Sequence, residues 1–205
     1  MKKTFLVYRL ALIPFILFTF CSVINSKEAH AMQSIKGKKV VIIIAKNNFR
    51  DEELLEPKAI LEKNGAAVTI ASSSLKESKG MLGAKVSPDI LFTDIAVGDY
   101  DAVIFVGGTG SSEYWDNPTA HTIAKEANKA NKIVGAICIA PVTLAKAGLL
   151  KGKKATTYSS TVNDIKSEGA NYTGEGVERD GNIITADGPA SAKKFGEAIV
   201  KALQK

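Results

Sequence analysis

The residue best placed to do chemistry is Cys138, at the centre of Gly135-Ala136-Ile137-Cys138-Ile139-Ala140-Pro141. The apolar run Ile133–Ile137 before it reads as a buried strand. Pro141–Leu149 after it reads as a helix with Pro in its first turn and Gly148 near its end. A strand that turns straight into a helix at a nucleophile-type residue is a nucleophile elbow, a bend tight enough to strain the nucleophile's backbone. Small residues are then needed two positions before and two after, and Ala136 and Ala140 stand there, with Gly135 giving extra room. The helix N-terminus aims free N–H groups at the sulfur, which favours thiolate over thiol. The alternative is an ordinary buried cysteine, because a free Cys packs as a small hydrophobe.

The elements that would position such a sulfur follow one another as strand, helix, strand. Lys39–Lys46 (KVVIIIAK) is a continuous Ile/Val-rich run, as expected of a parallel strand covered on both faces. From Phe49 through Pro57 a helix opens and continues through Leu61 to Gly65. Asp51, Glu52 and Glu53 in its first turn complement the helix dipole. Ala67–Ala71 is a second strand, and polar Ser72–Lys85 is a loop or short peripheral hairpin. Asp101–Val106 is a third strand, ending in Gly107-Gly108-Thr109-Gly110, where glycines allow close backbone approach. A helix over 117–131 carries His121. Lys154–Tyr158 (KATTY) is another strand, and Asp180-Gly181 centres a hairpin within 176–186. An amphipathic helix over 190–203 closes an alternating α/β chain without repeats or low-complexity segments.

The chain has 205 residues, 45% of them hydrophobic and 23% charged, enough for one domain with an ordinary core. Residues 1–31 are expected to be a signal peptide. Lys2, Lys3 and Arg9 precede the apolar stretch Leu10–Phe20, and Ala29-His30-Ala31 offers a small-x-small cut before the domain at 32–205. An uncleaved membrane anchor is the competing reading, although the apolar core is short for a span of about 20 residues. Cleavage implies an exported protein, periplasmic or extracellular, without stable membrane contact. Four of the 27 basic residues and one of the 21 acidic ones fall within 1–31, which leaves 23 against 20, a net of +3. Charge that small and scattered is not a nucleic-acid-binding surface. Cys138 is then the only cysteine of the mature chain, unable to form an internal disulfide and so either inert or a working thiol.

Four segments together resemble the ThiJ/PfpI superfamily, also called the DJ-1/PfpI family: VVIIIAKNNFRDEELLEP, YDAVIFVGGTG, KIVGAICIAPVTLAKAGLLKGKKATTY and VERDGNIITADGP. The resemblance covers about residues 38–203, and the tail looks most like the parkinsonism-associated deglycase branch. It implies a flavodoxin-like, doubly wound, mostly parallel sheet sandwiched by helices, similar to class I glutamine amidotransferases, and a homodimer. It also implies a glutamate from the first helix against the elbow sulfur. The match, four residues before the helix proline, is Glu53 before Pro57; Asp51 and Glu52 stay solvated charges. Backbone N–H groups near Gly108 and Ile139 would form an oxyanion site.

The departures from that pattern bear on the chemistry. Ile139 stands where peptidase-like members have a histidine, and Tyr158 where the deglycase branch has one. His121, the only histidine after residue 31, reads as a surface or packing residue outside the site. A Cys-His protease mechanism therefore lacks its base. The expected function is a glyoxalase- or deglycase-type enzyme for a small reactive carbonyl such as methylglyoxal, with Cys138 as nucleophile and Glu53 as acid/base. No metal or organic cofactor is expected, because His, Cys and acids lack metal-ligand spacing. The alternatives are a redox-responsive, chaperone-like stress protein in which Cys138 becomes a sulfinate, and a cysteine peptidase or amidase in which Tyr158 replaces histidine. Ile139, Tyr158, Asn48 and Trp115 are the candidate pocket side chains, with packing the leading role for Trp115.

Overall fold

In the computed structural model, which describes residues 34–204, the first apolar run forms strand β1 (Lys39–Ile44). Every residue of β1 after Lys39 is buried. Its side chains part between two cores: Val41 and Ile43 enter one, and Val40, Ile42 and Ile44 the other. A strand covered on both faces shows no polar alternation, which is why this run reads as continuously apolar. The expected signal peptide at 1–31 lies outside the described residues.

After β1 the chain forms β2 (Asn47–Phe49), α1 (Asp51–Lys63), β3 (Ala67–Ser72), β4 (Ser78–Gly80), β5 (Lys85–Val86) and β6 (Ile90–Leu91). Next come β7 (Ala102–Phe105), α2 (Pro118–Lys129), β8 (Ile133–Ile137), α3 (Pro141–Lys146), β9 (Lys154–Ala155) and α4 (Val162–Ser167). The tail adds β10 (Asn171–Tyr172), β11 (Val177–Asp180), β12 (Ile183–Ala186) and α5 (Ala192–Leu203). Among the described residues seven strands make the main sheet in the order β11-β12-β8-β7-β1-β3-β6, all parallel except the edge strand β11. Apolar residues of α1 and α5 cover one face, and those of α2, α3 and α4 the other. This is the flavodoxin-like α/β sandwich.

From β1 the chain crosses through α1 to β3 on one side, and from β7 it crosses through α2 to β8 on the other. The connections diverge between β1 and β7, and a crevice opens at the carboxyl ends of strands around such a point. The loops after β7 and β8 both end there.

Local differences from the sequence reading have identifiable causes. Phe49 is not helical: Asn48 takes a left-handed conformation (φ 57°), bending the chain so that α1 begins only at Asp51. The polar segment 72–85 is a hairpin, β4 against β5, which joins β2 in a separate three-stranded sheet. In the 154–158 segment only Lys154 and Ala155 form a strand, paired with β10 rather than with the main sheet. Beyond them the backbone is drawn elsewhere, Thr156 N–H to Thr185 Oγ1 and Tyr158 N–H to the Cys138 carbonyl. Helix α3 stops at Lys146, short of Leu149, and Gly148 (φ 77°) closes it.

Candidate active site

Cys138 stands between β8 and α3 with φ 63°, the left-handed conformation that an elbow imposes. For a residue with a Cβ that costs about 1–2 kcal/mol, so the neighbours must hold it. They do so on both sides. The Cys138 N–H donates to the Ala186 carbonyl at 2.9 Å, and the Cys138 carbonyl accepts from Tyr158 N–H at 2.9 Å and Thr157 Oγ1 at 2.8 Å. Trp115 Nε1 donates to the next carbonyl, Ile139, at 3.1 Å. Ala136 and Ala140 are buried as the bend requires. Gly135 serves a different purpose from the one expected: a Cβ there would meet the Phe195 ring of α5 at 3.0 Å, so its smallness admits a helix side chain.

Glu53, on the first turn of α1, is fully buried and reaches the same point. Its Oε2 accepts from Gly107 N–H at 3.1 Å, and its carboxyl group interacts with the Cys138 sulfur. Oε1 is buried without a hydrogen-bond partner, which disfavours charge on the group. Burial pushes Glu53 up to about 7, against the opposing pull of the Cys138 thiol, the Gly107 N–H and the Arg50 charge. Burial and then the charge of Glu53 push the Cys138 thiol up to about 12, opposed by the N–H groups of Gly108 and Ile139. The expectation of a sulfur ionised by the helix N-terminus is therefore corrected. Cys138 is only 8% exposed, and desolvation beside an acid outweighs two N–H dipoles. The sulfur needs a base to ionise, and Glu53 is the adjacent one.

Above the pair lies a cavity of about 370 Å³. Tyr158, Ile139, Trp115, Arg50 and Met81 form much of its wall, with Gly108 at its floor beside Cys138 and Glu53. Gly108 is held at φ 90°, where a side chain would run into the backbone of Asn48 and Arg50. Cys138, Glu53, Gly108, Ile139 and Tyr158 are thus brought together. Asn48 is not among them: its side chain is exposed outside the cavity, and its contribution is the left-handed bend that carries Arg50 to the rim. Trp115, read mainly as a packing residue, both packs on the core and lines the cavity. His121 holds the Trp115 carbonyl through Nε2 at 2.7 Å and does not line the cavity, in keeping with a packing role.

Two contributors were not legible as such, and a third, Gly107, was legible only as a glycine of the strand-end motif that allows close approach. Asp51 is not a solvated charge: it is 5% exposed and accepts from Leu82 N–H at 2.8 Å and Ala84 N–H at 2.7 Å, clasping the β4–β5 turn. Glu52 lies at the surface but is occupied, its carboxylate gripping Arg50 through Nε at 2.8 Å and Nη2 at 3.1 Å. Gly107 admits the Glu53 carboxyl beside the elbow. A run of acids at a helix start gives no signal that each has a separate partner. Among the described residues no cluster of three or more His, Cys, Asp or Glu side chains could hold a metal, and no helix is long and apolar enough to cross a membrane.

Residues 38–202 match the model of the DJ-1/PfpI family. An uncharacterised protein of Methanocaldococcus jannaschii is 42% identical over 200 residues, 96% of this chain and 98% of the relative. A protein of Pyrococcus horikoshii named as a deglycase is 30% identical, covering 80% of this chain and 99% of its own length. A Caenorhabditis elegans protein named as a glutathione-independent glyoxalase is 29% identical, covering 82% and 89%. The crystal structure of a ThiJ/PfpI domain protein from Brachyspira murdochii superposes with a TM-score of 0.80 at 34% identity, over 82% of this chain and 97% of that one.

Proposed function

The chain belongs to the DJ-1/PfpI family, and on that premise we propose that it is a cofactor-independent enzyme of the deglycase or glyoxalase type, acting on reactive α-oxoaldehydes through Cys138 and Glu53. The observation that carries this reading is the meeting of a strained elbow cysteine and a buried acid poised near neutrality at the floor of one cavity. Among the described residues no imidazole lines that cavity, which weighs against a Cys-His peptidase.

Ionised Glu53 takes the thiol proton as the sulfur adds to the aldehyde carbon, and the carbonyl π pair moves to oxygen. The N–H groups of Gly108 and Ile139, which face the sulfur, stabilise the oxyanion until Glu53 returns the proton and completes a hemithioacetal. Glu53 then removes the hydrogen on that carbon, and the electron pair left behind shifts through an enediol as the hydroxyl proton passes to the neighbouring ketone oxygen; return of the abstracted proton to the neighbouring carbon leaves a 2-hydroxy thioester. One carbon is oxidised and its neighbour reduced, so no external oxidant is required. Water hydrolyses the thioester, releasing a 2-hydroxy acid and the free thiol.

Incubation of the purified protein with methylglyoxal, followed by assay for D-lactate, tests the proposal. Lactate forms with the natural sequence and is lost in Cys138→Ala and Glu53→Gln. Undiminished activity in either variant overturns it.

A further inference from the structure

Among the described residues the cavity has one permanently charged side chain, and the chemistry above leaves it without a task. Arg50 lines the wall beside Cys138 and Glu53, and the other lining residues besides Glu53 are apolar or hydroxyl-bearing side chains and glycine. The guanidinium is within Coulombic reach of both reacting groups. Its Nε and Nη2 are committed to Glu52, which fixes the plane of the group and leaves the Nη1 donors outside that grip. Glu52 itself does not line the cavity.

The charge balance of the site gives this arrangement a consequence. Once Glu53 or Cys138 has lost a proton, the floor of the cavity is negative, and an anionic substrate brought there meets repulsion in a partly dry space. A fixed guanidinium on the wall offsets that repulsion and offers a carboxylate two N–H donors.

Resting on the proposed reaction, we infer that Arg50 is a specificity-determining residue that makes this site prefer α-oxoaldehydes bearing a carboxylate over neutral ones. A test compound is 4,5-dioxopentanoate, which the same isomerisation and hydrolysis convert to 2-hydroxyglutarate.

The first experiment does not depend on turnover. Cys138 is alkylated with iodoacetate and with iodoacetamide, reagents that differ in a carboxylate beside the reacting carbon. The ratio of their rate constants cancels the reactivity of the thiol itself. In the natural sequence this ratio exceeds that of glutathione and falls as salt is raised to about 1 M, where exposed charges are screened beyond about 3 Å. Arg50→Gln lowers the ratio about tenfold, and Arg50→Lys retains most of it. The double variant Arg50→Gln/Glu52→Gln stays low; recovery there would assign the effect to an unpaired Glu52 and overturn the proposal. A ratio in the natural sequence at or below that of glutathione and flat with salt also overturns it, without reliance on any variant.

The second experiment compares kcat/KM for 4,5-dioxopentanoate and methylglyoxal, and the ratio falls about tenfold in Arg50→Gln. An unchanged ratio contradicts the inference. Absence of turnover with both compounds, together with a charge-dependent alkylation ratio, would sink the proposed reaction and leave the anion preference standing.

Discussion

Gly107 donates its N–H to Glu53 Oε2 at 3.1 Å, and a Cβ at Gly107 would stand 2.6 Å from that same oxygen and 2.5 Å from Cys138 Cβ. Acid and nucleophile therefore meet across a residue that can have no side chain. Gly107→Ala must push one of them aside. Displacement of reacting groups by about 1 Å costs on the order of 100-fold in rate. The expected result is a drop of that size in kcat/KM for methylglyoxal with the folded state retained by circular dichroism. A variant with full activity would mean that the contact does not govern catalysis.

The pH dependence of the reaction follows from Glu53 acting as base. Its carboxyl is held up to about 7, so the ionised form grows as pH rises through neutrality. The rate constant kcat/KM should rise with pH from 5, reach half its maximum near 7 and level about one unit above that. A profile that falls over this window would assign the essential form to protonated Glu53 instead.

Stability should run the opposite way. Glu53 ordinarily ionises near 4.5 and in the folded protein near 7, so folding favours the protonated form. That preference is fully present below about 4.5 and is lost as pH rises through 7. Glu53→Gln removes the cost of a buried charge above that range, a gain on the order of 2–3 kcal/mol at pH 8 relative to pH 4. Urea unfolding at the two pH values measures it, and an equal difference between variant and parent at both would contradict the assignment.

Asp51 satisfies two backbone N–H groups of the β4–β5 turn that Asp51→Ala would leave unpaired. About 1–3 kcal/mol is expected from such a loss, with Leu82 more accessible to water than Ala84 and so nearer the lower figure. Amide exchange over residues 80–86 should accelerate in the variant more than exchange over β7. Uniform acceleration across the fold would point to a global rather than a local role.

The expected processing after Ala31 predicts a mature chain beginning at Met32. Mass spectrometry of protein from a secreting host checks this directly. An intact N-terminus in a membrane fraction would favour the anchor reading.

The central sheet was legible because β1, β7 and β8 each carry a continuous apolar run, as a doubly covered parallel strand does, and β3 is apolar but for Thr69 and Ser72. The elbow was legible through Ala136, Cys138, Ala140 and Pro141, which satisfy local steric demands. Glu53 was reached only through family resemblance, since nothing local distinguishes it from Asp51 and Glu52. Their partners lie 54, 31 and two residues away in sequence for Glu53, Asp51 with Leu82, and Glu52 respectively, and a helix start carries no mark of what will fold against it. The sulfur's ionisation was misjudged for a related reason: the N–H groups are local and visible, whereas the burial that outweighs them is a property of the whole fold.

Three consecutive acids open α1, and each faces a different neighbour: the hairpin turn for Asp51, the guanidinium for Glu52, the thiol for Glu53. Successive positions on a helix point about 100° apart, so this trio works as a three-way key cut into a single turn. Insertion or loss of one residue just before it would rotate every carboxyl onto another's lock, leaving composition almost untouched while upsetting the hairpin clasp, the guanidinium grip and the proton shuttle together. Such a segment is constrained twice over, in which acid stands at each position and in how many residues precede it.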